Sequence, residues 1–354
     1  MWRPPLGVEP RATGSLAEQA AAAIVGANTF TLDDPDEWLL HGATEAQRSW
    51  WKHWVHWLSA KSGDRRRRPA RLGSRRYRIL TRLRVDRWRG DKGLLFVNVD
   101  GLRLRVRIRG SGRPLLLVMG LGGNIEMWER LVDELGGFLT IAFDAPGTGE
   151  SDTPRWPLRM RGLARVTAHL LAALGQRKVD VLGVSYGGAI AQELTYRHPE
   201  HVRRLVLAAT MCGLGGVPGK PAALALLSTP HRYQSPAHFK AIAGQLYGGE
   251  IGRRPELLDR MKYSRLGHAP SLRGYLWQLA AIAGWSSLPY LHQIRQPALV
   301  LTGDEDPIIR IANGRILARL IPGARLHVIR GGGHLFLVDQ AKESARLIRE
   351  FLQG

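Results

Sequence analysis

Residues 178–188 read Lys-Val-Asp-Val-Leu-Gly-Val-Ser-Tyr-Gly-Gly. The first half of this stretch is aliphatic and β-branched, which is typical of a buried strand, and residues 189–196 are typical of a helix. A strand that passes into a helix through Gly-x-Ser-x-Gly predicts a nucleophile elbow, a sharp turn that exposes the serine at the top of a sheet. Ser185 is therefore the candidate nucleophile. The alternative interpretation is a serine that caps the helix and has no chemical role.

Strands and helices alternate before and after this stretch. Residues 94–99 and 102–109 flank the turn signal Asp100-Gly101, which predicts a hairpin, and the apolar run 115–119 predicts a strand covered on both faces. Strands that alternate with helices are typical of a parallel sheet wound with crossover helices. The predicted fold class is therefore α/β, with a mostly parallel sheet, helices on both faces and an antiparallel start.

One segment interrupts this alternation. Residues 211–296 contain short helical stretches broken by proline and glycine, and they would cover the elbow; we call them the lid segment. The predicted organisation is an N-terminal extension rich in Trp and Arg (1–92), a first part of the core (93–210), the lid segment and a second part of the core (297–354).

The second predicted strand carries an unusual set of arginines. Arg103, Arg105, Arg107 and Arg109 alternate with aliphatic residues along 102–109. Because side chains alternate between the two faces of a strand, all four arginines lie on one face. We expect this face to be exposed to solvent on a half-buried strand.

The composition limits the classes of partner. The formal net charge is +21, part of it in an arginine-rich segment that begins at Arg65–Arg68, and such a charge attracts anionic partners non-specifically. No zinc-finger, RNP or basic-zipper pattern accompanies the arginines, so nucleic-acid binding is not predicted. The single cysteine, Cys212, cannot form an intramolecular disulfide, and the N-terminal region shows no secretory or membrane-spanning pattern. We expect a soluble, cytoplasmic protein.

The extension contains one strongly amphipathic stretch. Residues 45–60 place Trp50, Trp54, Trp57 and Leu58 on one face at helical spacing. This tryptophan face could pack against the rest of the chain. It could also adsorb to a granule or membrane surface, because indoles favour interfaces and cationic residues flank them. The sequence leaves both interpretations open.

A serine nucleophile needs a base to take its proton and an acid to orient that base. When the nucleophile lies on an elbow, both groups come later in the chain, on loops after strands, in the order serine, acid, histidine. Asp306 follows the predicted strand 298–301 and is the candidate acid. The neighbouring Asp304 and Glu305 are alternatives.

The candidate base is His334, which follows the predicted strand 326–329 and a run of glycines. His327 lies within that strand, where a structural role is expected. The predicted catalytic residues are therefore Ser185, Asp306 and His334.

The tetrahedral intermediate of acyl transfer carries an oxyanion that needs two fixed N–H donors. The first candidate is the backbone N–H of Tyr186, directly after the nucleophile, and the second is that of Leu121 in the glycine loop 120–123. Glycine loops also bind phosphate, but neither Gly-x-x-x-x-Gly-Lys-Ser/Thr nor Gly-x-Gly-x-x-Gly after a strand occurs. No CxxC or HExxH occurs either, so neither a cofactor nor a metal is predicted.

From about residue 94 onward the sequence resembles the α/β-hydrolase superfamily. Phe143–Ser151 is similar to the loop that follows the fourth strand in that superfamily, and Gly120–Glu126 is similar to the oxyanion loop of intracellular medium-chain poly(3-hydroxyalkanoate) depolymerases. Further segments similar to those depolymerases are Val217–Pro221, Arg232–Tyr233, Tyr247–Gly249, Gly284–Ser286 and Gly333–Leu337. Met119, Tyr186 and Arg310 depart from that family, in which asparagine, tryptophan and proline are usual.

The resemblance implies a serine esterase that cleaves hydrophobic hydroxyacyl esters or polyesters without a cofactor or metal. If the substrate is a polymer granule in the cytoplasm, the face formed by Trp50, Trp54 and Trp57 is the candidate contact with it. Two alternatives stay open, a 3-hydroxyacyl transferase on the same scaffold and a granule or membrane-surface binding protein. The sequence predicts no oligomeric state.

Overall fold

The computed structural model describes residues 93–228, 233, 235–261 and 268–354. The extension 1–92, with its arginine run and its tryptophan face, lies outside these residues, so both interpretations of that face stay predictions. Within the described ranges, no helix has both the length and the apolar character that crossing a bilayer requires.

Strands of the described region form one eight-stranded sheet. They are β1 (Gly93–Val99), β2 (Leu102–Gly110), β3 (Arg113–Val118), β4 (Phe138–Phe143), β5 (Val179–Val184), β6 (Val202–Ala208), β7 (Ala298–Gly303) and β8 (Arg325–Ile329). Their order across the sheet is β1-β2-β4-β3-β5-β6-β7-β8. The pairs β1–β2 and β2–β4 are antiparallel and the others are parallel. The predicted α/β class with an antiparallel start is confirmed.

Helices connect most of these strands. The α-helices are α1 (Glu129–Glu134), α2 (Met160–Ala173), α3 (Tyr186–Arg197), α4 (Pro221–Leu227), α5 (Pro236–Tyr247), α6 (Gly249–Arg253), α7 (Leu272–Ile282), α8 (Ile311–Leu320), α9 (Phe336–Asp339) and α10 (Ala341–Gln353). Two of the predicted helices differ in type from an α-helix. Residues Ile125–Trp128, directly before α1, form a 3-10 helix, and Pro255–Met261 is a 3-10 helix along its whole length. At the start of α7, the Ser271 hydroxyl accepts a hydrogen bond from Gly274 N–H (3.0 Å), which caps the helix.

Alternate residues of the central strands face two separate hydrophobic layers. Leu116 and Val118 of β3 pack in one layer with residues of α2 and α3. Leu115 and Leu117 pack in the other layer with residues of α1 and α10. Because helices cover both faces, these strands appear in the sequence as unbroken apolar runs. Full burial of each leucine contributes about 1.5–3 kcal/mol to folding.

The arginines of β2 do not share a solvent face, and this prediction is wrong. Arg105 is 2% exposed and forms ion pairs with Glu126 and with Asp144, whose Oδ2 lies 3.1 Å from Arg105 Nη1. Arg103 alone of the four is exposed. Burial raises the pKa of the Asp144 carboxyl, and the charge of Arg105 opposes that shift. The alternation assigned the face correctly, but it could not show that acidic residues after β3 and β4 cover it.

The lid segment contacts the loops at the edge of the sheet through glycine backbones. A Cβ built on Gly249 of α6 would stand 2.1 Å from the nitrogen of Gly333, after β8. A Cβ built on Gly274 of α7 would stand 2.0 Å from the carbonyl oxygen of Gly147, after β4. These approaches bring described parts of the lid segment to the end of the sheet where the candidate catalytic residues lie.

Candidate active site

Ser185 lies between β5 and α3 in the strained turn that the sequence predicts. Its φ of 53° and ψ of −119° are outside the regions that residues with a Cβ usually adopt. Ser185 N–H donates to Ala208 O (2.9 Å). Ser185 O accepts from Gly188 N–H (2.9 Å) and from the Thr210 hydroxyl (2.7 Å). Strain of this kind costs about 1–3 kcal/mol, and these hydrogen bonds keep the turn from relaxing.

The positions two residues before and after Ser185 need glycine, because a side chain at either one would overlap neighbouring backbone atoms. A Cβ built on Gly187 would stand 2.1 Å from the carbonyl oxygen of Val118. A Cβ built on Gly183 would stand 2.5 Å from the carbonyl oxygen of Gly187. Both contacts involve backbone atoms of β3 or of the elbow, which cannot move aside as a side chain can.

We expect Gly187→Ala to destabilise the fold by more than about 3 kcal/mol, because its Cβ would overlap the backbone of β3. Gly136→Ala is the matched control, since a Cβ there meets no atom within 4 Å. Its free energy of unfolding should change by less than about 1 kcal/mol. Urea denaturation of both variants measures the difference. Wild-type stability of Gly187→Ala would contradict this close packing.

The three candidate catalytic side chains meet where β5, β7 and β8 end. His334 Nε2 lies 3.0 Å from Ser185 Oγ, and His334 Nδ1 lies 2.7 Å from Asp306 Oδ2. Asp306 Oδ1 accepts from the backbone N–H groups of Ile308 (2.8 Å) and Ile309 (2.9 Å). A continuous chain of hydrogen bonds therefore joins the hydroxyl, the imidazole and the carboxylate.

The alternative acids lie away from His334. Asp304 and Glu305 are exposed, and Glu305 forms an ion pair with Arg253. Asp306, by contrast, is 6% exposed. Of the three neighbouring carboxylates, Asp306 is the one that contacts His334.

Tyr247, at the end of α5, supports the imidazole. Its carbonyl oxygen accepts from the backbone N–H of His334 (2.7 Å), and its ring lies nearly parallel to that of His334, with centroids 6.4 Å apart. The hydrogen bond holds the backbone of His334 against the end of α5, beside the Tyr247 ring. Residues 247–249 resemble a family segment in the sequence, but nothing there indicates a contact with His334.

Both predicted oxyanion donors adjoin Ser185. Tyr186 begins α3, where the helix dipole favours negative charge. Gly120, which precedes Leu121, passes against the nucleophile, since a Cβ built on it would stand 3.8 Å from Ser185 Oγ. The Tyr186 side chain is buried, and burial raises the pKa of its phenol. Tyr186 would therefore act through its backbone N–H and not as a proton acceptor.

An apolar cavity adjoins Ser185 and His334. Its empty volume, open mouth included, is ≈ 580 Å³. Its other lining residues include Met119, Met127, Trp128, Leu227, Leu335 and Leu337. A lining of this kind fits an aliphatic chain, and none of the lining residues that the structure describes carries a carboxylate, an ammonium or a guanidinium group. Among the described residues, no group of three or more His, Cys, Asp or Glu could hold a metal ion.

Residues 113–341 match the sequence profile of a family described as alpha/beta hydrolase fold. This chain belongs to the α/β-hydrolase family. The matched range covers most of the sheet together with the lid segment. Membership in this family, together with the 44% identity to a depolymerase, identifies the chain as a hydrolase.

Three proteins similar to this chain indicate which kind of α/β-hydrolase it is. A poly(3-hydroxyalkanoate) depolymerase of Ectopseudomonas oleovorans is 44% identical over 261 residues, which are 73% of this chain and 91% of that protein. A hydrolase from Pseudomonas aeruginosa PA01 is 28% identical with a TM-score of 0.62, covering 74% of this chain and 99% of its own. An esterase from Thermogutta terrifontis is 26% identical with a TM-score of 0.63, covering 74% and 98%. The predicted relationship to the depolymerases is confirmed, and hydrolysis is favoured over acyl transfer or a binding role.

Proposed function

We propose that this α/β-hydrolase is a serine esterase that cleaves hydrophobic 3-hydroxyacyl esters, including poly(3-hydroxyalkanoates). The observation that carries the proposal is the 44% identity to a poly(3-hydroxyalkanoate) depolymerase over 91% of that protein. The hydrogen-bonded Ser185, His334 and Asp306 beside an apolar cavity support the same chemistry.

In the proposed acylation step, His334 Nε2 takes the proton of Ser185 Oγ while that oxygen attacks the ester carbonyl. The carboxylate of Asp306 accepts a hydrogen bond from His334 Nδ1–H, which leaves the Nε2 lone pair directed at the hydroxyl. His334 then gives its proton to the leaving alcohol as the ester bond breaks. The product is an acyl group bound to Ser185.

In deacylation, His334 takes a proton from water, and the resulting hydroxide attacks the acyl carbonyl. The free 3-hydroxy acid leaves as the proton returns to Ser185. In both steps the backbone N–H groups of Leu121 and Tyr186 would donate to the oxyanion. Loss of one such donor typically costs about 10²–10³ in kcat.

The cavity indicates how acyl chain length should affect turnover. Each methylene moved from water to an apolar wall contributes about 0.8 kcal/mol, or roughly fourfold in kcat/KM. We expect p-nitrophenyl esters of increasing length to gain about fourfold per methylene until the acyl chain extends past the apolar lining. A constant or falling kcat/KM from acetate to octanoate would contradict an apolar acyl site.

The decisive experiment uses the polymer itself. The purified chain should release 3-hydroxyoctanoic acid or its oligomers from latex particles of poly(3-hydroxyoctanoate), as detected by mass spectrometry, and Ser185→Ala should release none. Addition of a thiol or an alcohol acceptor should leave free acid as the main product. Turnover of soluble esters without polymer cleavage would limit the proposal to small esters, and an acylated acceptor as the main product would overturn hydrolysis.

The proposal includes association with the surface of polymer granules in the cytoplasm. Its sequence support is the face formed by Trp50, Trp54 and Trp57, which lies outside the described residues. Indole rings adsorb to the boundary between water and an apolar phase, and arginines strengthen that adsorption when anionic amphiphiles coat the phase.

A further inference from the structure

The loop that carries Leu121 is a tight turn. Gly123 N–H donates to Gly120 O (3.0 Å), so Leu121 and Gly122 occupy the two central positions. Gly122 has a φ of +67°, which is the conformation that a type II turn requires at its third residue. Type I and type II turns differ mainly in the orientation of the central peptide, here the one between Leu121 and Gly122.

Two buried side chains of the lid segment bind that central peptide at both ends. The hydroxyl of Tyr233 donates to Leu121 O (3.0 Å), and Oε1 of Gln278, in α7, accepts from Gly122 N–H (2.8 Å). Tyr233 is 6% exposed and Gln278 is 2% exposed. They lie 112 and 156 residues beyond the turn residues that they contact.

The other end of the turn is fixed by the nucleophile. Gly120 lies so close to Ser185 that a Cβ built on it would stand 3.3 Å from Ser185 Cβ. The peptide that bears Leu121 N–H therefore lies between a contact with the elbow and the two lid hydrogen bonds.

We propose that Tyr233 and Gln278 are positioning residues that hold the turn in the form in which Leu121 N–H can bind the oxyanion. This role rests on the proposed esterase function. Without either hydrogen bond, the present orientation and position of the central peptide are less strongly held. Loss of either bond also frees the turn to shift relative to the elbow, which moves Leu121 N–H, and misplacement by about 1 Å can cost about 10²-fold in rate.

The contacts also explain why residue 122 is glycine. A Cβ built there would stand 2.5 Å from the Tyr233 hydroxyl oxygen, in addition to the strain of its positive φ. The turn and Tyr233 therefore fit each other closely. If residue 233 only filled space, its ring would be needed but its hydroxyl would not. Removing the hydroxyl alone therefore tests the positioning role.

Tyr233→Phe removes the bond to Leu121 O and keeps the ring. With a soluble 3-hydroxyacyl p-nitrophenyl ester, we expect kcat to fall by at least about tenfold while KM changes by less than about threefold, because the lost interaction acts only in the transition state. Gln278→Met should behave in the same way.

The matched control is Tyr275→Phe, a buried tyrosine of the same segment whose hydroxyl donates to Leu227 O and whose ring lies edge-on to that of Tyr233. It should keep kcat within about twofold. The Ki of an alkylboronic acid, whose serine adduct is tetrahedral, should rise in Tyr233→Phe in proportion to the loss of kcat/KM. The Ki of the product acid should not change.

The outcomes separate the two proposals. An inactive wild type, or an active Ser185→Ala, would overturn the esterase function itself. If the wild type is active and both Tyr233→Phe and Gln278→Met keep its kcat, whether or not their KM rises, the positioning role alone is overturned. If one variant does not melt cooperatively, the other decides the question. Equal losses in Tyr275→Phe would also overturn the role, because they would indicate general loosening of the segment.

Discussion

Ser185→Ala is expected to lose at least about 10⁴-fold of kcat/KM for a soluble 3-hydroxyacyl ester and to stay folded. The alanine retains the backbone turn with its hydrogen bonds to Ala208, Gly188 and Thr210, so the melting temperature should change by no more than a few degrees. Activity should disappear because no other nucleophile can occupy that position. The activity that remains should be the small acceleration which an oxyanion site and binding alone can give.

The matched control for this change is Ser228→Ala, which removes an exposed hydroxyl that donates to Ala225 O. It should keep full activity. A fluorophosphonate probe should label the wild type at Ser185 and should not label Ser185→Ala, as read by peptide mass spectrometry. Residual turnover above about 1% that is titrated by the probe at another residue would contradict the proposed mechanism.

The only cysteine of the sequence does not offer a second nucleophile. Cys212 is fully buried, and burial raises the pKa of its thiol, so the reactive thiolate is disfavoured. Tyr186, beside Ser185, has its phenol pKa raised by burial as well. The loss of activity in Ser185→Ala can therefore be attributed to the missing hydroxyl.

The parts of the fold that local patterns determine were predictable from sequence. Strand β3 is an apolar run because both of its faces are covered, and the elbow is recognisable because overlap with backbone atoms excludes side chains at Gly183 and Gly187. The succession of strands and helices then restricts the sheet to a few topologies. The order of elements alone therefore predicts that β5, β7 and β8 end at one edge of the sheet.

What depends on contacts between distant segments was not predictable. The arginines of β2 were assigned to solvent because a period of two defines a face but not its cover, and Arg105 is buried by Glu126 and Asp144. Tyr233 and Gln278 follow no periodicity that refers to the glycine loop. The sequence favoured Asp306 as the acid but left Asp304 and Glu305 as alternatives, and only geometry separates them, since all three follow the same strand.

Asp306→Asn is expected to lower kcat by about 10³–10⁴-fold with little change in stability. Asp306 Oδ1 accepts from the N–H groups of Ile308 and Ile309, so the amide oxygen of an asparagine should take that place. Its NH₂ group would then face His334 Nδ1, which at present lies 2.7 Å from Asp306 Oδ2. An NH₂ donor there selects the imidazole tautomer with hydrogen on Nε2, and this tautomer cannot take the proton of Ser185.

Two neighbouring substitutions provide controls in the same loop. Asp304→Asn and Glu305→Gln each remove one carboxylate charge from exposed positions, and Glu305→Gln also breaks the ion pair with Arg253. Exposed pairs of this kind contribute at most about 1 kcal/mol to stability, so both variants should keep kcat within about threefold. Steady-state kinetics of the three variants with one soluble ester compares them directly. If Asp306→Asn stayed active while Asp304→Asn or Glu305→Gln lost most of its activity, Asp306 would not be the residue that orients His334. Equal small losses in all three variants would mean that His334 needs no carboxylate partner.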